Sequence, residues 1–222
     1  SADAAKNMEN MRRISDVLTL AANKSNASVE QFATALSKKV GAQLRMLNKD
    51  LEEGVAVLAV YADQGIKGEL ASEKFAIMSR ELQMAMTKES KTWEELGMSV
   101  YDSTGKMKNF ADIIKMLELN LAGMSDEQKF ARMQALGFRM ESLQAIQPLL
   151  GMSEAIASYE RQWRKANGTT KEVADKQMKS FSAQIKILWN NIKVVGIEIG
   201  QHLAPILRAL NSTIMVVVKG WG

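Results

Sequence analysis

The stretch DLEEGVAVLAVYADQGIKG (residues 50–68) decides how this chain folds. It opens with Asp50 and two glutamates, a pattern typical of a helix N-terminus, and it stops at Gly65, which tolerates the left-handed conformation that ends helices. Between these signals every residue from Val55 to Ala62 is apolar. A helix without a polar face belongs in the interior of a protein. We therefore predict that this helix occupies the centre of the fold.

Amphipathic helices are predicted on both sides of this segment. Upstream, residues 3–22 have one apolar face, and Ser28 opens a second helix with a capping box and apolar residues as far as Leu47. Downstream, Gly65 to Gly68 predicts a stop and a restart, and the next helix places Ala71, Phe75, Met78, Leu82 and Met86 on one side. Shorter helices are expected at residues 92–97, 109–122, 125–136, 139–150 and 153–166, with Pro148 distorting the end of the fourth of these.

One short segment resembles a pair of strands. Residues 98–101 precede a turn, Asp102 to Gly105, with Asp first and Gly fourth, and residues 106–108 follow it. The rest of the composition is rich in helix-forming residues and includes only 2 prolines and 14 glycines, which predicts an all-α fold. We expect a bundle of short helices, one small β-hairpin near 98–108 and a long C-terminal amphipathic helix.

The C-terminal part differs from the rest in the length of its apolar stripe. Between Phe181 and Val217 ten apolar steps cover 217 − 181 = 36 residues, a mean of 3.6, which is the pitch of a straight α-helix. Pro205 should kink this helix. We predict two parts, a compact helical core at 1–168 and an extended amphipathic arm at 169–222. The arm cannot bury its own stripe, so we expect an oligomer or partner interface at Ile185, Leu188, Ile192, Val195, Ile199, Leu203, Ile206 and Leu210.

The residue types needed for catalysis or metal binding are scarce. There is no cysteine, so disulfides and thiolate metal sites are excluded, and the single His202 cannot form a multi-histidine site. The acidic pairs Glu52–Glu53 and Glu94–Glu95 could serve glycoside hydrolysis, but we place both pairs in first turns of helices, where acids favourably meet the helix dipole. The sequence therefore predicts no catalytic, metal-binding or cofactor-binding residue, and a protein that is not an enzyme.

Basic and glycine-rich segments also favour structural interpretations. Gly65 to Gly68 lacks the spacing of a phosphate-binding loop. Lys38–Lys39 and the run from Arg161 to Lys165 are expected on solvated helix faces, because the formal charge is only +4 and the basic residues are dispersed. No nucleic-acid or small-molecule site is predicted. Since the chain starts at Ser1 without an initiator methionine and stops at Gly222, we expect a fragment of a longer chain.

Several sequence blocks resemble the core region of bacteriophage tail tape measure proteins. They are Ala21 to Ser28, Leu51 to Glu53 with Ala62 to Gly68, Leu96 to Lys108, Leu136 to Arg139, and Gly200 to Leu207. These blocks follow the order and spacing of that family over roughly residues 14–210. One departure is Asn48, which stands where the family usually has glycine between the second and third helices and can adopt the same left-handed conformation at modest cost.

This resemblance implies a structural role in a phage tail. Tape measure proteins are long and helical, lie in several copies inside the tail tube, set tail length, and leave the tube ahead of DNA. The expected partners are further copies of the chain, the tail tube protein, tail assembly chaperones and tail tip or baseplate proteins, with host membrane contact on ejection. The expected location is the virion tail, after assembly in the host cytoplasm.

Two other functions stay open on sequence alone. The amphipathic arm, with its apolar end from Ile214 to Trp221, also suits a membrane-active protein that forms a pore or channel for DNA. However, no stretch reaches the ~18 consecutive apolar residues that span a bilayer. A helical cell-wall hydrolase is the other alternative, since some tape measure proteins contain such domains.

Overall fold

The computed structural model describes residues 2–166 and 168–169, with side chains from Met8 onward. Within these residues the chain is mostly helical and contains no β-strand. The helices are α1 (Ala2–Lys24), α2 (Val29–Ala35), α3 (Gly41–Met46), α4 (Leu51–Asp63), α5 (Gly68–Lys88), α6 (Ser90–Glu95), α7 (Phe110–Leu121), α8 (Asp126–Ala135), α9 (Met140–Ile146) and α10 (Ser153–Trp163). The all-α prediction is therefore confirmed for the described part of the chain.

Helix α4 lies at the centre, as its apolar sequence predicted. Every residue from Glu52 to Ala62 is buried, and α1, α2, α3, α5 and α10 all pack against this helix. Burying an apolar side chain of the size of Val or Leu contributes about 1.5–3 kcal/mol relative to leaving it exposed. Helix α4 is therefore the central element for the five helices that pack against it.

The predicted helix boundaries are confirmed where side-chain caps and glycines mark them. Ser28 and Ser125 form complete capping boxes, and the Asn109 side chain accepts a hydrogen bond from the Ala111 N–H at 2.8 Å. Pro148 lies in a 3₁₀ turn, Gln147–Leu149, that follows α9. Asn48 has a φ of 51°, so this asparagine does adopt the left-handed conformation expected of it.

The helix predicted from Ser28 to Leu47 contains a wider turn. Between α2 and α3 the segment Leu36–Val40 is a π-helix. The Ser72 hydroxyl, on α5, donates to the Ala35 carbonyl at 2.9 Å and accepts from the Lys39 N–H at 3.0 Å. In an α-helix the Lys39 N–H would donate directly to the Ala35 carbonyl. Here the Ser72 hydroxyl lies between the two groups and bonds both, and a side chain inserted in this way is a known cause of helix distortion.

The β-hairpin predicted near 98–108 is not confirmed. The turn is present, since the Asp102 N–H donates to the Lys106 carbonyl at 2.8 Å, but the pairing is a single antiparallel bridge between Tyr101 and Met107. The Ser99 hydroxyl bonds the main chain of Tyr101, and α7 begins soon after the turn at Phe110. The two arms are therefore too short to build a ladder.

The C-terminal predictions fall on residues that the structure does not describe. These are the long amphipathic helix from residue 170 onward, its kink at Pro205, and the interface from Ile185 to Leu210. The described chain reaches Thr169, shortly after α10 ends at Trp163.

Candidate functional site

The first turn of α4 brings together the best candidates for chemistry. Glu52 and Glu53 are only 2% and 4% exposed. Arg13 on α1 holds Glu52 with two bonds, Nε to Oε1 and Nη2 to Oε2, each 2.5 Å. A planar guanidinium that meets a carboxylate in this two-bond arrangement is among the strongest side-chain pairs. Glu52 therefore fixes α1 against α4.

Glu53 contacts the start of α7 and has a different environment. Its Oε1 accepts from the Phe110 N–H at 2.7 Å and pairs with Lys49 Nζ at 3.0 Å. Lys49 also donates to the Lys108 carbonyl at 2.7 Å and lies 5.3 Å from the centre of the Phe110 ring. Burial raises the pKa of the Glu53 carboxyl above its ordinary value, and Lys49 opposes that increase. Glu53 thus caps α7 through its charge.

A third buried carboxylate connects α7 with α10. Glu160 is 8% exposed and accepts from the Asn109 amide at 2.7 Å. Arg164 donates to the same carboxylate at 2.6 Å and forms an ion pair with Asp50 at 3.0 Å. Together with the two glutamates of α4, these contacts form a chain of charges across α1, α4, α7 and α10.

This chain of charges is arranged to join helices. Glu52, Glu53 and Glu160 each have a cationic partner and hydrogen bonds within the fold. A hydrolytic pair instead needs two carboxylates that face one substrate across a cleft. The geometry therefore favours a role in packing.

The other acidic pair does not lie where the sequence suggested. Glu94 and Glu95 are at the C-terminal end of α6, not in its first turn, because the helix begins at Ser90. Acids at a C-terminus oppose the helix dipole, so the expected stabilisation is absent. Burial of Trp93 against Phe138 and its 2.9 Å bond to the Leu136 carbonyl hold α6 in place.

The glycine and the lysine pair that the sequence analysis considered as binding sites have structural roles at a helix end and between helices. Gly65 has a φ of 83° and lies between α4 and α5, as expected for a stop and restart. Lys38 and Lys39 pair with Glu69 and Glu73 on α5 at 3.3 and 2.5 Å, so they connect helices rather than only meeting solvent. His202 and the interface from Ile185 to Leu210 lie outside the described residues.

Neither a metal site nor a membrane-spanning helix is found in the described residues. Among them, no cluster of three or more histidine, aspartate or glutamate side chains has a geometry that could hold a metal ion. In the same part of the chain, no helix combines the length and the apolar character that crossing a bilayer requires.

One cleft lies between α1, α4 and α10, beside the chain of charges. It has a volume of about 350 Å³ and is lined by charged residues of both signs, by Trp163 and by small apolar residues: Glu9, Arg12, Arg13, Asp16, Val17, Glu52, Trp163, Arg164 and Ala166. Trp163 is 1% exposed, yet its indole N–H has no hydrogen-bond acceptor among the described residues. Leaving such a donor buried and unsatisfied costs about 1–3 kcal/mol.

A second, shallower groove of about 430 Å³ lies between the end of α6 and α7. Its lining is mainly apolar, and Leu119 on α7 is 67% exposed there. Asp112 and Lys115 also line this groove.

Sequence reasoning missed Arg13, Glu160 and Trp163 as members of this region. Arg13 follows a second arginine in an exposed part of α1, and Glu160 follows a tyrosine in an ordinary amphipathic helix. Their partners are 39 and 51 residues away along the chain. No local pattern could have identified contacts over those separations.

Comparisons with known proteins agree on one family. The model of the family described as phage-related minor tail protein matches residues 2–138. The chain is also 26% identical over 209 residues to a protein of Pneumococcus phage Dp-1 described as a tape measure protein. That alignment covers 94% of this chain and 18% of the phage Dp-1 protein. No solved structure matches the chain.

Proposed function

Because this chain belongs to the phage-related minor tail protein family, we propose that it is a segment of a tape measure protein, a structural component of a phage tail. The observation that carries the proposal is the alignment of nearly the whole chain with one stretch of a much longer tape measure protein. On this proposal the chain works in tail length determination, tail assembly and genome delivery. Its partners would be the tail tube protein, the assembly chaperones and the tip or baseplate proteins.

The arrangement of charges supports a role through surfaces. The three buried carboxylates around α4 are each matched by a cation and join four helices. Such buried pairs fix the relative orientation of elements more than they contribute net stability. A fixed orientation of four helices is compatible with a component that acts through its surfaces.

The described part is a poor candidate for the measuring element itself. As one continuous helix, 168 residues (2–169) would extend about 250 Å at 1.5 Å per residue. Instead the described part folds into ten helices, and its central helix, α4, has 13 residues and extends about 20 Å. We infer that this part forms a folded body along the tail and that the measured length comes from other parts of the polypeptide.

In-frame deletions in the phage genome, followed by electron microscopy of purified tails, test this inference. Deleting residues 2–169 should shorten the tail by far less than about 250 Å, because a folded body contributes little length. Deleting the 53 residues 170–222 should shorten it by about 80 Å if that segment is an extended helix. A shortening of about 250 Å in the first deletion would show that the segment is a ruler. Absence of the protein from purified tails would refute the tail role altogether.

We also propose that the C-terminal apolar stripe makes a homo-oligomeric interface. The stripe would present Ile185, Leu188, Ile192, Val195, Ile199, Leu203, Ile206 and Leu210 to a second copy of the chain. Replacing Ile192 and Ile199 by Asp should lower the sedimenting mass, since each charge would have to be buried in an apolar contact. Replacing Asn190 and Gln201, two neutral residues outside the stripe, by Asp adds the same charge and serves as the control. An unchanged mass in the isoleucine variant would mean that the stripe is not an interface between copies.

A further inference from the structure

Helix α7 carries an apolar side chain in the middle of its outer face. The buried residues of this helix, between Phe110 and Leu121, recur at helical spacing and face the core. Leu119 follows Phe110 by 119 − 110 = 9 residues, so at about 100° per residue it lies on the side opposite the core. Its side chain is 67% exposed. Amphipathic helices normally present polar residues there, so Leu119 is an unusual apolar projection.

The groove beside α7 is a recess that adjoins this projection. It is lined by Leu96 and Met98 near the end of α6 and by Met116 on α7, next to Leu119 itself. A Cβ at Gly97, another lining residue, would meet nothing within 4 Å, so the groove is open on this side. An open groove of about 430 Å³ suits a side chain of another polypeptide better than a small molecule, which binding pockets usually enclose.

Two charges of opposite sign lie beside the projection. Asp112 and Lys115 both line the groove and are exposed. They precede Leu119 by 119 − 112 = 7 and 119 − 115 = 4 residues, which places them on opposite sides of Leu119 when α7 is viewed along its axis. We call the groove, Leu119 and these two charges the α7 surface.

The α7 surface is complementary to itself. It contains a projection and a recess of the same apolar character, and it contains both signs of charge. A different partner would have to match each of these features separately. An identical copy matches all of them, and such self-complementarity is the defining property of a two-fold interface between like chains.

We propose that the α7 surface pairs with the α7 surface of a second copy of this chain. A two-fold axis parallel to α7 brings each Leu119 into the groove of the other copy. The same axis places Asp112 of each copy beside Lys115 of the other, with an offset of three residues, or about 4.5 Å, along the helix. A contact made by one helix and one groove belongs to the small interfaces, below about 1,200 Å², which are weak on their own.

Disulfide formation between two single-cysteine variants of the full chain tests the contact. The chain has no cysteine, so each variant carries one thiol and a mixed disulfide must join two copies. Leu119→Cys with isotopically labelled Leu96→Cys should give the mixed product at least roughly tenfold faster than Leu119→Cys with labelled Leu70→Cys, because the interface holds only the first pair together. Leu70 is exposed but lies on α5, and mass spectrometry identifies the products. Equal rates in the two mixtures would overturn the proposal.

Exchange of the two charges tests the two-fold arrangement. Asp112→Lys in both chains should slow the disulfide between Leu119→Cys and Leu96→Cys roughly three- to tenfold, since two exposed ion pairs become repulsive contacts. Adding Lys115→Asp to the same chains restores opposite charges across the axis and should restore the parent rate. An unaffected rate in the single variant, or no recovery in the double variant, would contradict the arrangement.

These measurements separate the α7 surface from the proposed C-terminal interface. They report which positions meet and not the mass of the assembly. An unchanged sedimenting mass after Ile192→Asp and Ile199→Asp would therefore reject the C-terminal stripe and leave the α7 contact standing. Equal disulfide rates would reject the α7 contact and leave the stripe and the tail role standing.

Discussion

Helices α4 and α8 have similar lengths but obtain their stability from opposite sources. In α4 every residue from Glu52 to Ala62 is buried, and its N-cap, Asp50, makes no capping bond with its side chain. In α8 only Met133 is buried, yet Ser125 forms a complete capping box at its start. A short helix without tertiary contacts is marginal in water, so α8 needs its cap, whereas packing alone maintains α4. The difference shows that local signals matter most where burial is least.

The largest expected effect comes from a cavity in α4. Leu58 is 1% exposed, so Leu58→Ala should lower the free energy of unfolding by about 2–5 kcal/mol, as measured by urea denaturation of the full chain. Phe130→Ala on α8, where the side chain is 36% exposed, should cost much less, near the range of about 0.5 kcal/mol for surface changes. Equal losses in the two variants would break the comparison.

The glycines on either side of α8 offer a matched pair. Gly123 and Gly137 have φ values of 75° and 88°, so alanine is strained at either position. A Cβ at Gly137 would lie 3.1 Å from the Ala85 carbonyl oxygen, whereas one at Gly123 would meet nothing within 4 Å. Gly137→Ala should therefore be less stable than Gly123→Ala by about 1–3 kcal/mol in the same denaturation assay. Identical stabilities would show that the end of α8 is not tightly packed on α5.

Loss of the α8 cap should have a smaller effect. Ser125→Ala removes the acceptor for the Gln128 N–H and should cost about 1 kcal/mol, measured as a shift of the urea midpoint. Gln134→Ala, at an exposed position of the same helix, is the control and should stay within about 0.5 kcal/mol of the parent. A cap variant indistinguishable from this control would mean that tertiary contacts, not the cap, maintain α8.

The smallest effect concerns the charge at the start of α4. The pKa of Glu53 is raised in the folded state, so the folded protein binds this proton more tightly than the unfolded chain does. The resulting stabilisation is complete below the unfolded pKa and is lost as pH rises through the folded pKa. As the pH is lowered from neutral to 4, the free energy of unfolding of the parent should therefore rise relative to that of Glu53→Gln. Urea denaturation at several pH values measures this difference. If the parent instead loses stability relative to Glu53→Gln on acidification, the attraction between Lys49 and the Glu53 carboxylate outweighs the effect of burial on the pKa.

The helical part of the fold could be predicted because its signals are local. Ser28, Ser125, Asn109 and the glycines that end helices act within a few residues, and most of these boundaries are confirmed within two or three positions. The helix predicted at 139–150 ends earlier, at Ile146, because a 3₁₀ turn that contains Pro148 follows it. Local signals did not predict that Tyr101 and Met107 would pair through a single bridge. A β-hairpin needs several consecutive paired residues, and α7 begins too soon after the turn for them to form. Glu94 and Glu95 were misplaced because α6 starts at Ser90 without any side-chain cap.

The candidate site was predicted far less well than the fold. The glutamates of α4 were recognised as helix-start residues, but their partners Arg13, Lys49 and Phe110 come from three different segments. The π-helical turn at Leu36–Val40 likewise depends on Ser72, 37 residues from the Ala35 carbonyl that its hydroxyl bonds. A sequence of apolar residues at spacing four, Phe32, Leu36, Val40 and Leu44, is compatible with such a turn but does not require it.

By itself the sequence determined that the described part of this chain is helical, where most of its helices begin and end, and that α4 lies inside. Those properties follow from backbone hydrogen bonding, left-handed glycines and the periodicity of apolar residues, all of which act within about one turn of the chain. Only the tertiary structure decided which buried charges neutralise each other, that the Ser72 hydroxyl inserts into a helical turn, and that Trp163 lines a cleft. These depend on groups brought together from distant positions, because burial makes an unmatched charge or donor costly only once the fold has removed water.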